Sequence, residues 1–216
     1  MLTIYGVARS RASRLIWLCH EIGRPFRQVP VIQAYRLPDP FAPDAPLNTR
    51  SPDFLAISPQ GAIPVIDDDG LVLSESMACT LHLARPHAQI GGRDAAEQAL
   101  IAQWSFYAAT SIEADALTIQ MLTRPDAGEA DRALVAEAAA RLDRPFKVLD
   151  AHLAEHGHLV GGRFTVADLN MAEVVRYAQA QPGLLDAYPA LRDWLATCQA
   201  RPAFKSMWEA RLAEPA

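Results

Sequence analysis

The chain has 216 residues, half of them hydrophobic and 21% charged, enough for one large domain or two small ones with cores of their own. A net charge of −5 with no basic cluster argues against a nucleic-acid partner, and the lack of any long apolar run argues against a membrane span. Cys19, Cys79 and Cys198 lie far apart without a Cys-x-x-Cys pair, each in an apolar helical pattern, and so read as buried reduced thiols.

In chain order, Met1 to Gly6 lacks the apolar core of a signal peptide, which predicts a cytoplasmic protein. Leu2 to Tyr5 predicts a strand and Gly6 to Ser10 a loop. Leu15, Ile16, Leu18, Cys19 and Ile22 then fall on one side of a helix that Gly23 ends and Pro25 seals. Phe26, Val29, Val31 and Ile32 make a second strand, parallel to the first because a helix intervenes. Pro38, Pro40, Pro43 and Pro46 make Gln33 to Thr49 an irregular excursion, and Ser51-Pro52 opens a short helix to Ile57. The apolar runs Ile63 to Ile66 and Leu71 to Leu73 flank Asp69-Gly70, whose tolerance of positive φ suits a tight hairpin. Pro64 opens the first of these strands, where its missing N–H points to an edge position or to a cis peptide after Ile63. Ser74-Glu75-Ser76 starts a helix with no breaker until Pro86. The bare N–H groups of such a start suit a cap or a carboxylate site. Residues 1 to 85 thus read βαβαββα.

Arg85 to Arg93, with Pro86, Gly91 and Gly92, is the linker. Beyond it only helical patterns follow, over 95–122, 129–156, 166–180 and 191–199, and Thr165-Val166-Ala167-Asp168 is like a capping box. Trp104, Tyr107, Ala108 and Ser111 share one helix face by spacing, an arrangement that suits either a core stripe or a pocket wall. His152 and His156 are four residues apart and His158 is close by. With no carboxylate pattern beside them they read as a solvated helix end, and no metal is expected.

Ser58-Pro59-Gln60-Gly61-Ala62-Ile63-Pro64 is like the Asn-Pro-x-Gly-x-Val-Pro motif of the cytosolic glutathione S-transferases. Leu73-Ser74-Glu75-Ser76 is like that family's Leu-x-Glu/Gln-Ser, and Gly161 to Asp168 is like the box in its helical domain. With the βαβαββα order, these make nearly the whole chain resemble the family, and in particular its bacterial type. The resemblance implies a thioredoxin-like α/β domain over 1–85 that binds glutathione, a linker over 86–93, and an all-α domain over 94–216 that forms the second-substrate pocket. It also implies a homodimer and a transferase that joins glutathione, its co-substrate, to a small electrophile.

Residue by residue, the resemblance places Ile63 and the cis proline Pro64 along the backbone of the tripeptide, Glu75 at its amine, Ser76 at its carboxylate and Gln60 at its edge. The activating hydroxyl is Ser10, as in the serine-type classes, or Tyr5, as in the tyrosine-type, with Arg11 adding positive charge. Trp104, Tyr107, Ala108 and Ser111 line the acceptor pocket. Ala62 departs from the polar residue that many members carry there. A glutathione-dependent thiol or peroxide reductase, or a non-catalytic interaction protein on the same fold, are the rival readings.

Overall fold

A computed structural model describes residues Met1 to Glu214. It divides into two units, one made of Met1–Ala84 with Pro202–Ala216 and the other of Arg85–Arg201.

The first unit begins with β1 (Leu2–Tyr5), α1 (Ala12–Ile22) and β2 (Phe26–Val29), continues through α2 (Pro52–Leu55), and closes its sheet with β3 (Val65–Asp68), β4 (Leu71–Ser74) and α3 (Ser76–Ala84). The sheet order is β2-β1-β3-β4, with β1 and β2 parallel and the other pairs antiparallel. This is a thioredoxin-like mixed sheet. Strand alternation sends Leu2, Ile4 and Ile66 to one buried face, while Val65 joins Val31 and Phe54 in a cluster that also takes Tyr5, Leu47, Ile57 and Ile63. The hairpin turns as the residues dictate, with φ of 52° at Asp69 and 95° at Gly70. Gly23, at φ 63°, ends α1 in the left-handed conformation that glycine adopts most cheaply. His82 of α3 and Arg24 after α1 both reach Asp68 of β3. Burial pushes the Asp68 carboxyl up, but these two partners outweigh it and hold it below its ordinary value.

The second unit holds α4 (Ala88–Gly91), α5 (Ala95–Tyr107), α6 (Glu113–Leu122), α7 (Glu129–His156), α8 (Val166–Val175) and α9 (Pro189–Gln199). The segment expected as a linker carries α4. It is tied down by Arg163, whose guanidinium donates to Ala88 O at 3.1 Å and Gln89 O at 3.0 Å and pairs with both oxygens of Glu97. The Arg163 hydrogen bonds, helped by the Arg93 N–H, pull the Glu97 carboxyl down to about 2. A depressed native value stabilises the fold above the unfolded value and loses that contribution as pH falls through the native one. The stability gap between wild type and Arg163→Ala should therefore shrink as pH drops from about 4.5 to about 2, measured by thermal melts across that range.

The helix expected over 95–122 is interrupted by a π-helical stretch, Ala108–Ile112. Like α4, α10 (Pro202–Ala213) was not anticipated, and it belongs with the first unit. Phe204 and Met207 are buried there, and the Phe204 ring meets Trp17 of α1 edge-on at 4.9 Å. No helix among the described residues is long and apolar enough to cross a membrane.

Candidate functional site

The register of the sheet decides which residues can meet. Tyr5 ends β1 opposite Val65, which begins β3, and Val65 lies opposite Ser74, which ends β4. Three loops therefore leave the sheet at one end: 6–11 after β1, 58–64 before β3, and the joint between β4 and α3. These loops carry Ser10, the Ile63–Pro64 peptide, and Glu75 with Ser76. A β-carbon built on Gly6, whose φ is 147°, would sit 3.5 Å from Ile63 Cβ and 3.7 Å from Pro64 Cα, so the first loop starts directly against the second. The Ile63–Pro64 bond is cis.

Ser10 stands in the turn before α1, half-buried. Its Oγ donates to Val7 O at 2.7 Å and accepts the Ala12 N–H at 3.0 Å. The second bond satisfies one of the first N–H groups of α1 and keeps the hydroxyl at the positive end of that helix. To donate to a sulfur, the hydroxyl proton needs only to turn away from Val7 O while the Ala12 bond stays. Arg11 is exposed at the N-cap of α1. Tyr5 is packed in the Val31, Phe54 and Val65 cluster, which accounts for that side chain by packing.

At the start of α3, Glu75 is exposed and adopts φ 65°, a left-handed conformation that costs a non-glycine residue about 1–2 kcal/mol. Such an outlier held in place marks a residue whose direction matters. Its carbonyl accepts Cys79 N–H at 2.9 Å, so Glu75 stands at the cap position and Ser76 is the first residue of the helix. Ser76 is buried, and its Oγ accepts from Arg14 Nη1 at 2.8 Å. A hydroxyl that accepts from a guanidinium keeps its own proton to donate, which suits a carboxylate beside the N–H groups of the first helical turn. Gln60 is exposed in a turn closed by Gly61 N–H to Ser58 O at 2.8 Å.

Arg14 is a residue that sequence reasoning misses, and its signal is slight: a charged residue on the apolar side of α1. It is 1% exposed and ties α1 to the first residue of α3, so the two loops share one polar anchor.

The chain's own thiols are withdrawn from solvent. Cys19, Cys79 and Cys198 are all buried, and burial pushes Cys19 and Cys79 up to about 12, so both are neutral and shielded at pH 7.

In the second unit, Trp104 and Ala108 are buried, Tyr107 is half-buried and Ser111 is exposed. The Trp104 ring contacts Tyr107 at 5.6 Å and His152 at 4.7 Å, and the His152 ring in turn lies 4.5 Å from that of His156, tilted by 60°. Trp104 thus has a packing role inside the helical unit. The π-helical turn widens the bonding to i→i+5 just beyond Tyr107, which takes Ser111 off the face that 3.6-residue spacing assigns to it.

Known proteins share this architecture. A model of the N-terminal domain of glutathione S-transferases matches residues 9–85, and a model of their C-terminal domain matches residues 98–202. Glutathione S-transferase 3 of Zea mays is 33% identical over 217 residues, covering 94% of this chain and 91% of that protein. Among solved structures, glutathione S-transferase III in its apo form superposes with a TM-score of 0.79 at 30% identity, over 100% of this chain and 99% of that one. A theta-class glutathione S-transferase from Xanthomonas axonopodis pv. citri, with glutathione bound, superposes at 0.77 with 26% identity over 95% of each chain. The likeness runs to a plant protein and a bacterial one alike, so it lends no support to the narrower bacterial type.

Proposed function

The chain belongs to the glutathione S-transferase family, and from that premise we propose that it conjugates glutathione to a small electrophile, with Ser10 stabilising the thiolate. The observation that carries this reading is the register Tyr5–Val65–Ser74, which gathers Ser10, Ile63–Pro64 and Glu75–Ser76 at one end of the sheet. The Ile63 backbone, next to a residue that cannot continue a ladder, pairs with the cysteinyl backbone of the tripeptide. Ser76 donates to the γ-glutamyl carboxylate and Glu75 takes the γ-glutamyl amine. This sets the sulfur beside the Ser10 hydroxyl. The S–H proton leaves to solvent, the thiolate forms the C–S bond, and the leaving group departs with the electron pair of the bond that breaks.

Ser10 is preferred to Tyr5 because its hydroxyl lies in the loop, at the N-terminus of α1, whereas Tyr5 is part of the apolar cluster. Arg11, exposed at the same helix start, adds positive charge. For the electrophile, Tyr107 is the better-placed wall because it is half-buried, while Trp104 is engaged with His152. The homodimer and the cytoplasmic location usual for the family belong to the same proposal. Three buried cysteines without a disulfide suit a reducing compartment.

Ser76→Ala and Glu75→Ala should each weaken glutathione binding by about 10- to 100-fold, the worth of one charge-assisted hydrogen bond, read by calorimetry. Wild-type affinity in both variants would remove the tripeptide site from this end of the sheet. Retention on immobilised glutathione followed by turnover of chlorodinitrobenzene tests the activity itself. Failure to be retained would favour an interaction protein.

A further inference from the structure

The loop from Gly6 to Ser10 belongs to no helix or ladder, so its backbone groups need partners from elsewhere. Its ends are held by backbone, through Gly6 N–H to Val29 O at 2.9 Å and Ser10 N–H to Val7 O at 3.0 Å. Its middle is held by side chains. The Glu214 carboxylate accepts Ala8 N–H at 2.7 Å through Oε1 and Arg9 N–H at 2.9 Å through Oε2. Gln28 Nε2 donates to the same Oε1 at 3.1 Å and to Gly6 O at 3.0 Å. Arg211 Nη1 donates to Ala8 O at 2.6 Å, Arg9 Nε returns to Arg211 O at 3.1 Å, and Arg36 Nη2 donates to Arg9 O at 3.1 Å.

Two consecutive N–H groups aimed at one anion form a small cradle, here filled by a carboxylate of the chain itself more than 200 residues away. Bonds to an ionised acceptor are about twice as strong as neutral ones. The carboxylate is not on a loose tail, because α10 is seated through Phe204 and Met207 and its last turn supplies Arg211 as well. The residue directly after Arg9 is Ser10.

We propose that Glu214 is a positioning residue for the conjugation reaction. It fixes the Ala8 and Arg9 amides and thereby sets where the Ser10 hydroxyl stands. This inference rests on the reading of Ser10 as the group that stabilises the thiolate. A misplacement of about 1 Å at a reacting group can cost roughly a hundredfold in rate, so a lost clamp appears in kcat before it appears in glutathione affinity.

The test compares wild type with Glu214→Ala, Glu214→Gln and Ser10→Ala. Without substrate, amide hydrogen exchange at Ala8 and Arg9 should be at least about tenfold faster in Glu214→Ala. With glutathione and chlorodinitrobenzene, kcat should fall about tenfold while KM for glutathione stays within about twofold. The pH profile of kcat/KM should shift alkaline, toward that of Ser10→Ala. Glu214→Gln, which keeps one oxygen acceptor and the same shape, should fall between. Wild-type exchange at the two amides, or an unmoved pH profile with loss only in proportion to unfolded protein, would overturn the proposal. Wild-type protein that fails to conjugate glutathione sinks the transferase reading itself. The exchange measurement needs no substrate and separates that failure from failure of the clamp.

Discussion

Asp168→Ala should cost about 4–6 kcal/mol of stability, read from urea midpoints, and Asp168→Asn about half as much. The carboxylate is fully buried and accepts from four donors on three segments: Leu159 N–H at 3.1 Å, Thr165 N–H at 2.9 Å, Thr165 Oγ at 3.0 Å and Trp194 Nε1 at 3.1 Å. The Thr165 N–H bond is the carboxylate's half of the capping box that starts α8, the Thr165 hydroxyl reinforces it, and the other two bring the α7–α8 connection and α9 to the same point. Deleting the acceptor leaves all four donors dry, each at about 1–3 kcal/mol, less than additively because they share one site. Asparagine keeps one acceptor but turns an amide N–H₂ toward donors. Since whole domains are stable by only about 5–15 kcal/mol, Asp168→Ala should leave the protein near its unfolding threshold at 25 °C. A loss below about 1 kcal/mol would mean that these bonds are replaced by water at little cost.

Ser10→Ala should slow conjugation about 10- to 30-fold at pH 7 while leaving the glutathione Kd within about twofold. A free thiol with pKa near ~8.5 is roughly 3% ionised at that pH, and one lowered by about two units is roughly 75% ionised, a roughly 25-fold difference. The more basic thiolate of the variant is the better nucleophile, which returns part of the loss, and the loss of orientation adds to it. The deficit should close above about pH 9, where both thiols are ionised. Tyr5→Phe should conjugate close to the wild-type rate, since its ring packs with Val31, Phe54 and Val65. Stopped assays at about pH 7 and about pH 9.5 on the two variants decide between the hydroxyls.

The features legible in the sequence are local in origin. Asp69-Gly70, Gly23 and the Thr165–Asp168 box announce a turn, a helix end and a helix start because each depends on neighbours a few residues away, and all three form as expected. Of the candidate site, the half that can be proposed in this way is Ile63–Pro64 with Glu75–Ser76, which lies in a continuous stretch of chain. Arg14 was hidden, because its partner Ser76 is 62 residues on and an arginine in an apolar pattern carries no mark of where it points. Glu214 was hidden for the same reason, with its carboxylate clasping the distant Ala8 and Arg9 amides. The helix that leads to it could have been found. Pro202 is a standard first residue, and Phe204, Met207, Trp208 and Arg211 repeat at helical spacing. The π-helical turn at Ala108–Ile112 left no signal, since it needs no special residue and changes only the phase of the helix beyond it.

The most direct measurement is the pH titration of the glutathione thiol bound to the protein, traced by thiolate absorbance in the ultraviolet, in wild type and in Ser10→Ala. An apparent pKa near ~6.5 is expected for wild type and a return toward ~8.5 in the variant, with Tyr5→Phe titrating like wild type. A bound thiol that titrates near ~8.5 in wild type, or one still near ~6.5 in Ser10→Ala, would contradict the assignment of Ser10 as the activating hydroxyl.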